Sequence, residues 1–388
     1  MNPDEPLVIA GFGALEAINH GVRLAYRTGK MVNSIEHVNE AEQSLSELRS
    51  DCLLASKFLG STFLGLNLML LRHKGAQAVK DLQVIEFQDH QADHFIDGMT
   101  KLGIIGDPPA VAAAKYHYFS NILGGLDVEY IEETPKKVWL RYNGPSGMGL
   151  GMIPGGAFRR YLGGSWHRLD GKFMGVPNLG WVATKALMDG DPYDEGYFIE
   201  YDHEVDFNEP LKIELVDSTP EFDPSKAPQL DPSVWTEERR LKVLRSYSRT
   251  YVFSAFRALT KLQGEVTASW LLEETMRRIA VQYTRELRQD MGLESSGIAL
   301  VRDFTLGLLR ACGQEFSILE DSAKAFSIRV SPIREFKAVS SDRVHAALFS
   351  FYATAVRILD GHTRISRVPD EGKSTAVWHF KDEGKWLW

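Results

Sequence analysis

The residues best suited to chemistry gather in one glycine-rich stretch, residues 144–180, which carries Arg159, Arg160, Trp166 and His167. A tryptophan beside a histidine among turns fits a pocket for a flat ligand, anionic or amidine-bearing. Trp166 stacks on it, His167 moves a proton, and Arg159 or Arg160 holds a carboxylate. A packed loop with a surface histidine has the same composition and is the plain alternative. Downstream, Tyr193-Asp194-Glu195 follows Asp191-Pro192. Asp194 and Glu195 are candidates for a general base and its orienting group, although polar hairpin turns use the same residue types. Tyr193, Trp181 and Trp139 complete the ligand-binding set.

His90 and His94 have the i, i+4 spacing that lets two imidazoles share one metal ion, with Asp89 and Asp93 alongside. Ile85, Ala92, Ile96 and Met99 define an apolar face with both histidines opposite, so a solvated or domain-facing polar surface is the simpler reading. His117, alone in an apolar helical stretch, reads as a core or boundary histidine. Arg334-Glu335 reads as an ion pair at a strand end. The opening VIAGFGALE places Glu16 where a dinucleotide fingerprint needs its third glycine, and no βαβ unit follows. No GxSxG elbow, phosphate-binding loop, CxxC or HExxH is present.

Composition narrows the classes of function. A formal net charge of −8 gives no basic field for nucleic acid. The apolar run from Phe63 to Leu71 is too short to span a bilayer, and acids occupy the N-terminal positions where a signal peptide needs positive charge. Two cysteines, Cys52 and Cys312, point to a reducing cytoplasm without a disulfide framework or a cysteine zinc site.

The elements that must position these residues follow from periodicity and punctuation. Helical spacing runs from Ser44 to Leu71 and again over residues 76–102, with glycine stops at Gly75 and Gly103. A third helix, capped by Asp107, ends at Gly124-Gly125. Residues 127–142 alternate as a hairpin, residues 179–188 read as a helix, and 191–205 as a turn and strand. Prolines 210, 220, 224, 228 and 232 mark an extended connector, in which LKIELV could add one strand. Helices follow at 237–264, 265–291 and 298–312, then a hairpin, a helix from an Asp342 cap to Leu359, and a closing hairpin.

An internal echo organises the whole chain. Gly75 and Gly264, Gly103 and Gly292, and Gly124 and Gly313 are all separated by the same interval. The hairpins match at an interval shorter by one, from Val128 with Phe316 to Arg141 with Arg329. Leu187-Met188-Asp189-Gly190 echoes Ile358-Leu359-Asp360-Gly361, and Asp194-Glu195-Gly196 echoes Asp370-Glu371-Gly372. The expected fold class is α+β: two tandem helices–hairpin–helix–hairpin units, each a small antiparallel sheet covered by helices. The expected boundaries are a helical extension (1–60), copy one (61–206), a Pro-rich acidic linker (207–234) and copy two (235–388).

On FRALTKLQGEVTASWLLEETMRR (256–278), AFSIRVSPIREF (325–336) and ALMDGDPYDEGYFIEYD (186–202), the chain resembles the superfamily of the 4-vinyl reductase domain. That superfamily includes vesicle-tethering transport-particle subunits and the aromatic-effector sensing domains of phenol- and xylene-responsive activators. It also resembles the 2-amino-thiazoline-4-carboxylate hydrolase-like family. The resemblance covers residues 253–381 best and 65–203 less well. Family cysteines are replaced here by Ser331, His362 and Asp191, which removes a cysteine-bound zinc and thiol chemistry. The resemblance implies a small-molecule hydrolase opening a C–N bond of a heterocyclic or amidine-type substrate, with His167 as acid/base and no obligatory cofactor. The alternatives are a non-catalytic binding or sensing module for a small aromatic ligand, or a dimeric scaffold. Copy one, richer in His, Trp and Gly, is the expected functional copy and copy two the scaffold. The expected partners are a small organic ligand and a second copy of the chain.

Overall fold

A computed structural model describes residues 43–143, 166–209, 211–331, 336, 341–370 and 375–388. The first element, α1 (Leu45–Leu102), starts at a capping box in which Ser44 and Glu47 satisfy each other's backbone N–H groups. It is followed by α2 (Pro109–Leu123), β1 (Val128–Thr134), β2 (Lys137–Asn143), a five-residue helix α3 (Asp170–Met174), β3 (Leu179–Lys185), β4 (Tyr193–Glu200) and β5 (Lys212–Ile213). The second half comprises α4 (Glu237–Asp290), α5 (Gly297–Ala311), β6 (Phe316–Asp321), β7 (Ala325–Val330), α6 (Asp342–Leu359), β8 (Thr363–Pro369) and β9 (Ala376–Asp382).

Gly75 and Gly264 are kinks rather than helix ends. Each takes positive φ with extended ψ (82° and 175°; 76° and 157°), a region essentially reserved for glycine, and the helix resumes at the next residue. α1 and α4 are therefore each a pair of arms. The first arm of α1 lies against the second arm of α4: a Cβ on Gly65 would meet Thr275 at 2.9 Å, and Lys57 reaches Asp290 at 2.6 Å. The second arm of α1 lies against the first arm of α4, tied by Arg257 to Asp93 (2.6 Å) and Lys261 to Asp89 (2.5 Å).

Two sheets flank this helical seam, a mixed α/β architecture with one sheet per half. Their strand orders are β1-β2-β4-β3-β5 and β6-β7-β9-β8, antiparallel except for the β3–β5 pair. The two orders correspond strand for strand apart from β5. The register also tightens at one point. Gly125, not Gly124, has the positive φ of Gly313, so α2 and α5 correspond at the same interval as the hairpins, and His117 corresponds to Thr305. The interval shortens by one after the long helices because α5 starts five positions beyond Gly292, whereas α2 starts six beyond Gly103.

Several sequence expectations are corrected. Residues 179–185 form β3, not a helix. β3 is buried on both faces, so it shows no alternation and its apolar run cannot be told from a buried helix by pattern. Leu187–Asp189 is a 3-10 turn between strands, whereas Ile358–Leu359 closes α6, so that echo has no structural counterpart. Asp194–Gly196 lie within β4 while Asp370 follows β8, which dissolves the second echo as well. Ser341, not Asp342, caps α6 by accepting from the Val344 N–H, and Asp107 pairs with Lys115 instead of capping α2. The expected break at residue 60 falls inside α1, whose first arm belongs to the core of the second half; Phe58 packs edge-on to Phe351 at 4.6 Å. The proline-rich connector is not a free spacer. It covers the outer face of the first sheet, with Phe222 and Val216 against Trp139 and Tyr197.

The apolar run noted in the sequence lies in α1, the one described helix long and apolar enough to cross a membrane; 67% of that stretch is buried within the protein.

Candidate functional site

Strand parity divides the expected site residues between two faces of the first sheet. Odd-numbered positions of β2 and β4 face outward, toward the connector. There Arg141 donates to Glu195 (2.9 Å) and Glu129 (2.6 Å), and Thr184 also donates to Glu195 (2.9 Å). Tyr193 lies under the Arg141 guanidinium at 4.4 Å, and Trp139 packs on Tyr197 at 4.6 Å while donating to Glu133. Even-numbered positions face the helices, and His167 and Trp181 are on that side with Phe198. His167 and Glu195 therefore stand on opposite faces of the sheet and do not form one site. Asp194 accepts from the Leu187 N–H at 3.0 Å. Arg159 and Arg160 lie outside the described residues.

On the helix side, His167 is buried in a continuous polar and aromatic cluster. Tyr142 OH and His167 Nε2 are 2.7 Å apart. Burial pushes the Tyr142 phenol far up, so it keeps its proton. The His167 ring is flanked by Trp181 and His117, each with its centroid 4.2 Å away. His117 Nε2 meets Asp170 Oδ2 at 2.7 Å with both side chains fully buried, and Gln91 donates to the other Asp170 oxygen. Burial pushes the Asp170 carboxyl up and the His117 imidazole down to about 3, so the pair shares one proton as neutral partners. Asp170, Tyr142 and Gln91 were missed in the sequence because none has a local motif. The helix-facing parity of Tyr142 was the available signal.

The second arm of α1 contradicts the helical-wheel expectation. Its buried stripe is Gln83, Glu86, Phe87, His90 and Gln91, while Ala92 and Ile96 are exposed. His90 is buried and its ring stacks on Tyr251 at 4.9 Å; His94, 4.9 Å from it, is exposed. Among the described residues no group of three or more His, Cys, Asp or Glu side chains is placed to hold a metal ion, so nothing there completes a His90–His94 pair. Trp166, half-buried, lies flat on Phe87 at 5.1 Å.

The second half holds an open space at the corresponding place. A cavity of about 60 Å³ lies between the first arm of α1, both arms of α4, helices α5 and α6, and the second sheet. Its walls include Phe58, Met276, Leu309, Val330 and Trp378. In the register of the internal repeat, the first four correspond to Tyr247, Phe87, Asn121 and Tyr142 of the first-half cluster, where Tyr247 donates to Asn121 at 3.1 Å. The same place is thus filled by polar aromatic side chains in one half and left open and apolar in the other.

Two guanidinium groups edge this cavity. Arg367, 9% exposed, donates to exposed Asp342 at 2.6 Å, and its buried Nε has no hydrogen-bond partner among the described residues. Arg249 donates to the Cys312 carbonyl at 3.4 Å. Burial and the Arg367 charge lower the His345 imidazole below its ordinary range. Burial lifts the Cys312 thiol to about 12, so it is no thiolate at neutral pH.

Neither face of the first sheet nor the second-half cavity gathers a metal-binding group among the described residues. Family models, curated proteins and solved structures give no match to this chain. Function has to be read from the two sites themselves.

Proposed function

We propose that this chain is a small-molecule binding protein, built from two copies of one α/β unit, whose second half binds an amphipathic carboxylate. The observation that carries this reading is the apolar cavity bordered by Arg367 and its unpartnered, buried Nε. An engineered cavity that admits benzene measures roughly 150 Å³. At about 60 Å³, this one suits a short aliphatic chain, with a ring accommodated only if a wall moves. The carboxylate belongs at Arg367 and Arg249, where charge-assisted hydrogen bonds are strongest. Four buried methylenes at about 0.8 kcal/mol each and one charged hydrogen bond at roughly 1.5–3 kcal/mol support a Kd on the order of 0.1 mM.

Calorimetric titration of the full chain with hexanoate and hexanol tests this. Hexanoate should saturate and bind at least about tenfold tighter, a preference lost in Arg367→Gln. Equal binding of acid and alcohol, or no saturation by either, rejects the reading.

A second reading, acid/base hydrolysis of a C–N bond centred on His167, is favoured by the buried Tyr142–His167–His117–Asp170 line. Turnover of an amidine substrate that disappears in His167→Gln, with the fold intact, would support it.

A further inference from the structure

The seam between the second arm of α1 and the first arm of α4 contains a carboxyl group the fold does not need. Glu86 is fully buried, and neither carboxyl oxygen has a hydrogen-bond partner among the described residues. Along the same stripe, Gln83 Oε1, Gln91 Oε1 and His90 Nδ1 are also buried and unpartnered. The repeat-equivalent positions in the second half are Leu272, Thr275, Met276, Ile279 and Ala280, an ordinary core stripe packed against the equivalent helix arm. One half shows that these positions pack with a single polar side chain, Thr275, whose hydroxyl is satisfied by the Leu271 carbonyl. The other carries a row of buried polar atoms without a hydrogen-bond partner among the described residues.

The surroundings define the chemistry this carboxyl can meet. Aromatic rings wall the site: Phe87 stacks on Trp166, and His90 stacks on Tyr251. The nearby cations, Arg257 and Lys261, are bound to Asp93 and Asp89 on the outer side of the helix. A carboxyl with two free acceptor oxygens, flanked by amide oxygens and aromatic faces, complements a flat cation rich in N–H donors. We infer that this seam is a second binding site, distinct from the carboxylate site of the other half, that takes a small organic ammonium or amidinium ion on Glu86.

The other titratable groups buried in this part of the fold are His90 on the same helix, Tyr247 and Tyr251 on α4, Tyr116 and His117 on α2, and Asp170 on α3. Burial disfavours the charged form of each of them. It disfavours the Glu86 carboxylate in the same way, so Glu86 without a partner favours its protonated form. Seating a cation therefore expels the Glu86 proton to solvent: the O–H bond breaks, the carboxylate pairs with the cation, and charge balances.

The probe is benzamidine, titrated calorimetrically into the full chain at pH 7 in two buffers of different ionisation enthalpy. The expected result is saturable one-to-one binding with release of about one proton per benzamidine. Benzamide, neutral and of the same shape, should bind at least about tenfold more weakly. Glu86→Gln should lose the proton release and at least about tenfold in affinity, while keeping its circular dichroism and its hexanoate binding in the second half. Absence of saturable benzamidine binding, equal binding of benzamide, or unchanged binding in Glu86→Gln overturns the inference. A Glu86→Gln chain that fails to fold also overturns it, because Glu86 would then have a structural partner.

Discussion

Replacing Glu86 by methionine should make the protein more stable, and by an amount that depends on pH. Glu86 is fully buried, and both oxygens lack partners. An unsatisfied buried polar group costs about 1–3 kcal/mol, and methionine fills similar volume without it. Burial raises the Glu86 pKa well above 4.5. Above pH 4.5 the unfolded chain has lost this proton while the folded chain keeps it. Stability from Glu86 is thus full below pH 4.5 and falls as pH rises through the window up to the folded pKa, by roughly 1.4 kcal/mol per pH unit. Methionine removes that slope. The variant's advantage should be about 1–3 kcal/mol near pH 4.5 and widen as pH rises above it. Urea unfolding followed by circular dichroism at pH 5, 6 and 7 measures this directly. A destabilised variant at pH 7, or an advantage that does not change with pH, would refute the claim that Glu86 is an unpartnered acid.

His90 and His117 titrate in the opposite sense. Burial lowers both to about 3, so stability is full above pH 6.5 and is lost as pH falls toward 3. Up to about 5 kcal/mol per histidine is at stake, and His117→Asn should flatten the pH 4–6 limb of an acid-unfolding curve. Alanine at Gly264 should destabilise by about 1–3 kcal/mol, since the kink holds φ at 76° and ψ at 157° in open space; thermal melting gives the value. Gly196→Ala should cost about 1–3 kcal/mol, because a Cβ there would run into the Trp181 indole and the Val182 carbonyl oxygen. Adding Trp181→Ile should recover much of that loss, since strand register gives the second half Ile365 and Trp378 at the corresponding positions.

Much of the scaffold was legible because glycines and turns act locally. Gly75, Gly103, Gly264, Gly292 and Gly313 all take positive φ, and all mark helix kinks or ends. The hairpins at 128–143 and 316–330 show in the sequence because two strand-like runs flank a short polar turn in each. β3 was hidden because it is apolar on both faces. The candidate site was less legible for a different reason. A helical wheel assigns polar residues to solvent, and the second arm of α1 buries Gln83, Glu86, His90 and Gln91 instead. His167 was identifiable by type, but its partners Tyr142 and His117 come from separate, distant elements, β2 and α2. Their convergence depends on packing that no local pattern encodes. Strand parity could have separated His167 from Glu195, once β2 and β4 were placed side by side.

The most direct test of small-molecule binding is a crystal structure of the full chain soaked with 6-bromohexanoate, with bromine located by its anomalous signal. The expected peak lies between Phe58, Leu309 and Trp378, with the carboxylate within hydrogen-bond reach of Arg367. A saturating soak that places bromine elsewhere, or leaves that cavity without a peak, would contradict the account.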